Sequence, residues 1–271
     1  VRVFALIGSP RKRGNGELGA RYIASEAGAT EFRFVRLMSK NIKDCRACYR
    51  CLEDKCPLDD DYGIILEEIL RADAIIVAIP SYFFGDNASA KRFLDRGLQF
   101  YAHFKELKGK PAVGIVTAGM DYGEGYAQLA LDNMLERMGL DNRGTEVLYG
   151  AMPGEIFLRE ENFGKLKTLA SCLGGEMRIE RGGDVACSLC GYPYFRFGKD
   201  GEISCLVCGS RYSSEGGVNL SRKEGTGIDL FDLQKLEEHR EWLIGMKMKF
   251  LSMRNELKKV VAENFRPGEE I

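Results

Sequence analysis

Five short apolar runs punctuate the first 150 positions: Val1–Ile7, Phe32–Leu37, Ala74–Ile79, Ala112–Thr117 and Thr145–Tyr149. They carry Val, Ile, Ala and Phe with little polar alternation, the pattern of strands covered on both faces. Between them, apolar positions recur at helical spacing over Asn15–Ala27, Asp61–Arg71, Ala88–Phe104 and Gly125–Gly139, and residues 160–174 supply a fifth helix. Strands alternating with helices in this way predict an α/β fold, a doubly wound five-stranded parallel sheet with right-handed crossovers.

After Gly175 the pattern changes. Residues 182–217 are rich in Gly, Cys and Tyr and read as short hairpins, while residues 213–227 read as a flexible connection. Asp229–Asn264 then reads as one long helix. Its Leu236, Leu243, Phe250 and Leu257 are spaced by seven, with Met246, Met253 and Val260 three residues after the last three. This a/d stripe suits a helix packed along another helix, either the chain's own core or a second subunit. The organisation expected is a domain over 1–180, a small module over 181–217 and a long helix over 228–265.

Composition narrows the function classes. The chain has 271 residues and a formal net charge of −1, which gives no field to recruit nucleic acid or an anionic membrane. No apolar run is long enough to span a bilayer. The chain opens on a strand pattern rather than on a charged leader, so a cytoplasmic location is expected. His103 and His239 fall on predicted helices and receive no catalytic role.

Eight of the nine cysteines form two groups. Cys45-x-x-Cys48-x-x-Cys51-x4-Cys56-Pro57 lies between the second strand and the second helix. Three cysteines at three-residue steps wrap a single cluster well, and ferredoxin-type runs also place a proline after the last cysteine. Zinc needs only two C-x-x-C pairs, so iron–sulfur ligation is preferred there over zinc or free thiols. The second group, Cys187-x-x-Cys190-Gly191 and Cys205-x-x-Cys208-Gly209, is a pair of knuckles around a hairpin signature, Lys199-Asp200-Gly201-Glu202. Its spacing resembles a zinc ribbon, and iron in a rubredoxin-like site uses the same four thiolates. Such a closed site is structural. Cys172 stands alone as a small core hydrophobe.

The first strand runs into Gly8-Ser9-Pro10-Arg11-Lys12-Arg13-Gly14-Asn15-Gly16 and then a helix. Glycines, short donors, cations and a helix N-terminus make a cradle for a phosphate monoester. The overlapping Gly14-x-Gly16-x-x-Gly19 fails as a dinucleotide fingerprint. It begins six residues after Gly8, and the second strand ends Val35-Arg36-Leu37-Met38 without an acid.

Three segments together are recognisable. GSPRKRGNG resembles the phosphate loop of the flavodoxin-like NAD(P)H-dependent FMN reductases, with Gly16 where threonine is usual. Pro80-Ser81-Tyr82-Phe83-Phe84-Gly85, with Lys91, Asp95 and Arg96 downstream, resembles the family segment that lines the isoalloxazine ring. Thr117-Ala118-Gly119 follows the fourth strand, where the family again touches flavin. The resemblance covers residues 1–150, and the compact cysteine motif resembles the iron–sulfur flavoprotein branch.

The resemblance implies FMN phosphate on Ser9, Pro10, Arg11, Gly14, Asn15 and Gly16, and the ring on residues 80–85 and 117–119. It also implies a four-iron, four-sulfur cluster near the flavin. The function expected is electron transfer from NAD(P)H or ferredoxin to a small or protein acceptor, in a homo-oligomer without nucleic-acid or membrane partners. A clusterless NAD(P)H:FMN or quinone reductase is the alternative. A non-enzymatic module built on the ribbon, with a vestigial flavin fold, is the third reading.

Overall fold

The computed structural model describes residues 1–182, 185–199, 201–214, 220–227, 229 and 232–264. In chain order the first domain contains β1 (Arg2–Ile7), α1 (Asn15–Glu26), β2 (Glu31–Arg36), α2 (Tyr62–Arg71), β3 (Ala74–Tyr82), β4 (Gly85–Asp86) and α3 (Ala88–Asp95). It continues with α4 (Phe104–Leu107), β5 (Pro111–Ala118), α5 (Ala127–Arg137), β6 (Asp141–Tyr149) and α6 (Glu160–Gly174). The five long strands are parallel in the order β2-β1-β3-β5-β6, and the two-residue β4 folds back antiparallel on β3.

The buried-strand pattern has its expected cause. Val3, Ala5 and Ile7 of β1 pack with α1 and α6 on one face, while Phe4 and Leu6 pack with α2, α3 and α5 on the other. Strand order reverses between β1 and β3, so the loops leaving their carboxyl ends diverge and open a crevice.

The helix expected over Ala88–Phe104 is broken. α3 stops at Asp95, a 3₁₀ stretch covers Gly97–His103, and α4 follows. The break falls at Arg96, which is drawn inward to an ion pair with Asp60 at 2.6 Å.

The second unit is a four-stranded antiparallel sheet of β7 (Phe195–Phe197), β8 (Ile203–Cys205), β9 (Arg211–Ser214) and β10 (Leu220–Arg222), in the order β10-β9-β8-β7. The flexible connection expected over residues 213–227 is therefore corrected in part. Within it β9 ends at Ser214, β10 adds a strand, and Arg211 N donates to Thr226 Oγ1 at 2.9 Å. Backbone pairing supplies the order that Gly- and Ser-rich composition conceals. Residues 215–219 and Asp200 of the turn lie outside the described residues.

The long helix α7 (Leu233–Asn264) begins after Asp232, whose Oδ1 accepts the Gln234 N–H at 2.8 Å as an N-cap. Leu236 is buried in the core of the first domain, and Arg240 Nε donates to Leu52 O at 3.0 Å. Beyond that point Trp242, Met246, Phe250 and Val260 are exposed, and Leu243, Met253 and Leu257 are half-buried. The chain's own core thus buries Leu236 and leaves Met246, Phe250 and Val260 of the stripe exposed. No helix among the described residues is long and apolar enough to cross a membrane.

Candidate functional site

The loop after β1 is wound tightly against β3. Gly8 N donates to Ala78 O at 2.8 Å, and Gly14 N to Arg11 O at 3.2 Å. Ser9 Oγ, buried, accepts the Arg11 N–H at 3.3 Å and keeps its own proton to donate. No side chain caps α1, so its first-turn amides have no side-chain acceptor. A Cβ on Gly14 would stand 3.2 Å from Arg11 Cβ and 3.5 Å from Ser9 Oγ, inside the concavity of the loop. Gly16 lies where a Cβ would meet Ala78 Cβ at 3.2 Å, so threonine at this position would be tight against β3.

Glu17 fixes the loop from beneath. Its buried carboxylate accepts the Arg13 N–H at 2.9 Å and pairs with Arg36 at 2.6 Å and Arg21 at 3.1 Å. Burial pushes this carboxyl up, and those hydrogen bonds outweigh it and hold it below the usual range.

Asn15 has partners the sequence did not announce. Its Nδ2 donates to Gly150 O and its Oδ1 accepts from Gly154 N, both at 2.8 Å. Arg11 Nη1 reaches Ala151 O at 3.1 Å. A fourth loop, residues 150–155, therefore closes the cradle, and sequence reasoning missed it. Its only signal was the Pro153-Gly154 dipeptide after the last strand.

The loop after β3 is a hairpin with Phe83 and Phe84 as its two turn residues, at φ of 51° and 63°. Turns of this kind favour glycine or asparagine. A left-handed conformation costs a side-chain-bearing residue about 1–2 kcal/mol, and strain of this kind concentrates at binding sites. The neighbouring loop holds the turn: Tyr126 N donates to Phe84 O at 2.7 Å, and Ser81 Oγ to Gly123 O at 2.7 Å. Gly125 allows this approach, since a Cβ there would lie 2.1 Å from Phe84 O. Phe83 is fully exposed, and Tyr82, Phe84, Tyr122 and Tyr126 are exposed beside it. Pro80 and Ala118 are buried, Thr117 is half-buried, and Gly119 is open, with Ala151 its nearest neighbour. Together these residues make an aromatic rim next to the phosphate-type cradle. Asn87 Nδ2 and Ser89 Oγ tie the two, reaching Gly8 O at 2.9 and 3.2 Å.

The segment Lys91, Asp95 and Arg96 does not join that rim. Lys91 and Asp95 pair with each other at the surface, and Arg96 lies under the first cysteine loop. There Cys45 and Cys48 are exposed, and Cys51 and Cys56 are half-buried. Ala47 and Tyr49 both adopt left-handed φ, of 48° and 59°, which coils the loop, and Ala47 N donates to Cys45 Sγ at 3.5 Å. Burial, with the Cys56, Cys45 and Cys48 thiols adding to it, pushes the Cys51 thiol up to about 11.

Arg96 donates to Asp60 at 2.6 Å, to Lys43 O at 3.0 Å and to Cys56 Sγ at 3.4 Å, while its buried Nε has no acceptor. Arg92 pairs with Asp44 at 2.9 Å. A cavity of about 530 Å³ lies beside Cys51 and Cys56 and reaches Arg240 of α7.

The second group is different. Cys187, Cys190, Cys205 and Cys208 are all buried, and their sulfur atoms lie within 4.8 Å of one another. The Cys187–Cys208 and Cys190–Cys205 contacts are 3.5 Å, too long for disulfides. A metal bonded tetrahedrally at about 2.3 Å needs sulfurs about 3.8 Å apart, which this set nearly matches. Gly191 and Gly209, at φ of 76° and 77°, turn each knuckle so that their N–H groups bond back to Cys187 O and Cys205 O. Tyr212 OH donates to Cys187 Sγ at 3.0 Å.

This unit docks on the sheet domain through a buried polar seam. Tyr192 OH donates to Glu136 at 2.5 Å and Tyr194 OH to Asp132 at 2.8 Å, while Arg181 pairs with Glu136 at 3.1 Å. Burial pushes Glu136 up to about 7. Of the two histidines, His103 contacts Glu106 and lines the cavity beside Cys51 and Cys56, and His239 stacks on Trp242.

Residues 1–149 match the family model of NADPH-dependent FMN reductases. An iron–sulfur flavoprotein of Archaeoglobus fulgidus is 33% identical over 175 residues, 63% of this chain and 78% of that protein. An iron–sulfur flavoprotein of Methanocaldococcus jannaschii is 37% identical over 127 residues, 44% of this chain and 65% of that protein. Among solved structures, a flavone reductase superposes over the whole of both chains with a TM-score of 0.73 at 17% identity, a likeness of fold. The chain therefore belongs to the NADPH-dependent FMN reductase family, in its iron–sulfur flavoprotein branch, and is a flavin-dependent oxidoreductase.

Proposed function

We propose that this chain is an electron-transfer oxidoreductase that holds FMN at the carboxyl edge of the sheet and a four-iron, four-sulfur cluster on Cys45, Cys48, Cys51 and Cys56. The observation that carries this reading is α3. At its start Asn87 and Ser89 grip Gly8 O of the anion cradle, and at its end Arg92 and Arg96 grip the cysteine loop. A single short helix thus ties the two sites together. FMN exchanges a hydride or single electrons, and a cluster passes electrons singly.

The chain's own residues bind and orient. Ser9, Pro10, Arg11, Gly14, Asn15 and Gly16 form the phosphate cradle, Asn15 by fixing the fourth loop. Pro80, Ser81, Tyr82, Phe83, Phe84 and Gly85, with Thr117, Ala118 and Gly119, form the wall for the flat ring. The exposed aromatic rim and the rigid strained turn suit a planar ligand. The coiled cysteine loop and the buried, acceptor-less Arg96 Nε suit a sulfur-rich anionic group. Zinc on Cys187, Cys190, Cys205 and Cys208 is structural, because the set is closed and buried. NAD(P)H or ferredoxin supplies electrons, a small molecule or protein accepts them, and a second copy of the chain covers the exposed face of α7.

Absorption spectra with iron, zinc and flavin analysis on anaerobically purified protein test the reading. Flavin bands with a broad violet shoulder and iron at about four per chain are expected. Flavin without iron would leave the clusterless reductase reading, and neither would leave the ribbon module.

A further inference from the structure

We propose that Arg96 positions Cys56 and raises the reduction potential of the group held by the first cysteine loop; this rests on the reading above that the loop carries the cluster. Arg96 sits at the end of α3 with its side chain 2% exposed, paired with Asp60, which is 1% exposed. A buried cation is tolerated when its donors are matched. Here the matching is incomplete in an informative way. Nη1 serves Asp60 and Lys43 O, Nη2 serves Cys56 Sγ at 3.4 Å as well as Asp60, and Nε is buried with no acceptor. A guanidinium serving only to brace the fold would have its nitrogens matched by oxygen. This one gives a nitrogen to sulfur and keeps another unmatched on the same side chain.

The contrast with Cys45 sharpens the point. The Cys45 sulfur takes its hydrogen bond from the neutral backbone amide of Ala47, two residues on. Cys56 takes its bond from a full positive charge delivered from another element. Asp60 orients that charge from below, the Tyr62 ring lies 4.7 Å from the guanidinium carbon, and Tyr62 in turn stacks on Phe93 of α3. The fork is therefore held on both sides, with little freedom to turn from the sulfur. Hydrogen bonds to cluster thiolates and nearby positive charge both favour the reduced, more negative state, so both raise its potential. The same helix reaches the anion cradle at Gly8.

The test is an EPR-monitored reductive titration of the full, anaerobically purified chain. Wild type is compared with Arg96→Lys and with the double variant Arg96→Gln/Asp60→Asn, which removes both buried charges together. Expected is a more negative cluster midpoint in the double variant, an intermediate midpoint in Arg96→Lys, and an unmoved flavin midpoint. A wild-type cluster midpoint in a double variant that retains iron overturns the proposal. If the double variant does not retain iron, Arg96→Lys decides: a negative shift supports the assignment, and a wild-type midpoint overturns it. Absence of iron from the wild-type protein would instead overturn the cluster reading on which the assignment stands.

Discussion

The two cysteine groups use the same residue and the same C-x-x-C spacing, yet the protein builds them in opposite ways. Cys187, Cys190, Cys205 and Cys208 are buried, with their sulfurs gathered within 4.8 Å by two glycine-turned knuckles. Cys45, Cys48, Cys51 and Cys56 lie on an exposed loop, and that loop is held by side chains from elsewhere, Arg92, Arg96 and Arg240. In the ribbon the cysteines are themselves the core, since the unit's buried cluster is four cysteines with Tyr192, Ile203, Val207 and Tyr212. In the loop they are guests of a sheet domain whose core lies elsewhere. The contrast predicts that removing a sulfur from the ribbon removes a fold, and removing one from the loop removes a function.

The largest effect is expected from Cys190→Ser. A metal that organises so small a unit contributes on the order of 10 kcal/mol or more of binding free energy to its folding. The variant should lose zinc and expose the ribbon to proteolysis, with the sheet domain and flavin retained. Limited proteolysis with metal analysis checks this; a variant that keeps a protease-resistant ribbon would remove the distinction between the two sites.

Next comes the seam between the units. Glu136 has its folded-state value raised to about 7, chiefly by burial, against an ordinary 4.5. A raised carboxyl means that the folded state holds the proton more tightly than the unfolded one. Its contribution is complete below about pH 4.5 and is lost as pH rises through about 7, a change of about 3 kcal/mol at 1.36 kcal/mol per unit. Glu136→Gln mimics the protonated acid and retains an acceptor for Tyr192. At saturating zinc, wild type should lose Tm between pH 5 and 8 more steeply than the variant. Parallel profiles would show that Glu136 does not titrate in this range.

Tyr212→Phe is a smaller perturbation. It removes the O–H donor to Cys187 Sγ and the acceptor of the Ser188 N–H, both at 3.0 Å, and leaves the ring, which packs edge-on against Phe195. One such bond contributes about 0.5–1.5 kcal/mol. Zinc should be retained and released faster to a chelator; an unchanged release rate would mean the hydroxyl does not support the site.

The parallel sheet and most of its helices were legible because two-sided burial writes itself as unbroken apolar runs. The ribbon was legible because thiolate spacing is dictated by metal geometry. The cradle loop was legible as glycine and charge, but Asn15 was not. An amide that bonds to Gly150 and Gly154 is indistinguishable in sequence from one that faces a ligand. Arg96 was visible only as part of the segment resembling the ring wall, and its turn inward to Asp60 and Cys56 was not. It falls in a helical pattern that runs from Ala88 to Phe104, and the helix ends there, at the ion pair with Asp60 and just before Gly97. The strained pair Phe83-Phe84 contradicts turn propensity outright, so local rules fail at the aromatic rim.

The smallest effect on stability, and the sharpest use of the comparison, is expected from Cys48→Ser. Cys48 is exposed, and among the described residues no hydrogen bond of its side chain helps to hold the loop, which is fixed instead by Arg92 to Asp44, Arg96 to Lys43 O and Arg240 to Leu52 O. None of those anchors involves the substituted sulfur. Exchange of an exposed thiol for a hydroxyl should therefore stay within about 0.5 kcal/mol. On the proposed reading the same change removes one of the cluster's four thiolates, which serine, with its far less acidic hydroxyl, cannot replace as a soft ligand. Iron should fall sharply while zinc, flavin and Tm remain those of the parent. If Cys48→Ser strips zinc together with iron, the two groups are not independent. If it lowers Tm as far as Cys190→Ser does, the first loop is a structural site like the second, and the contrast between them is lost.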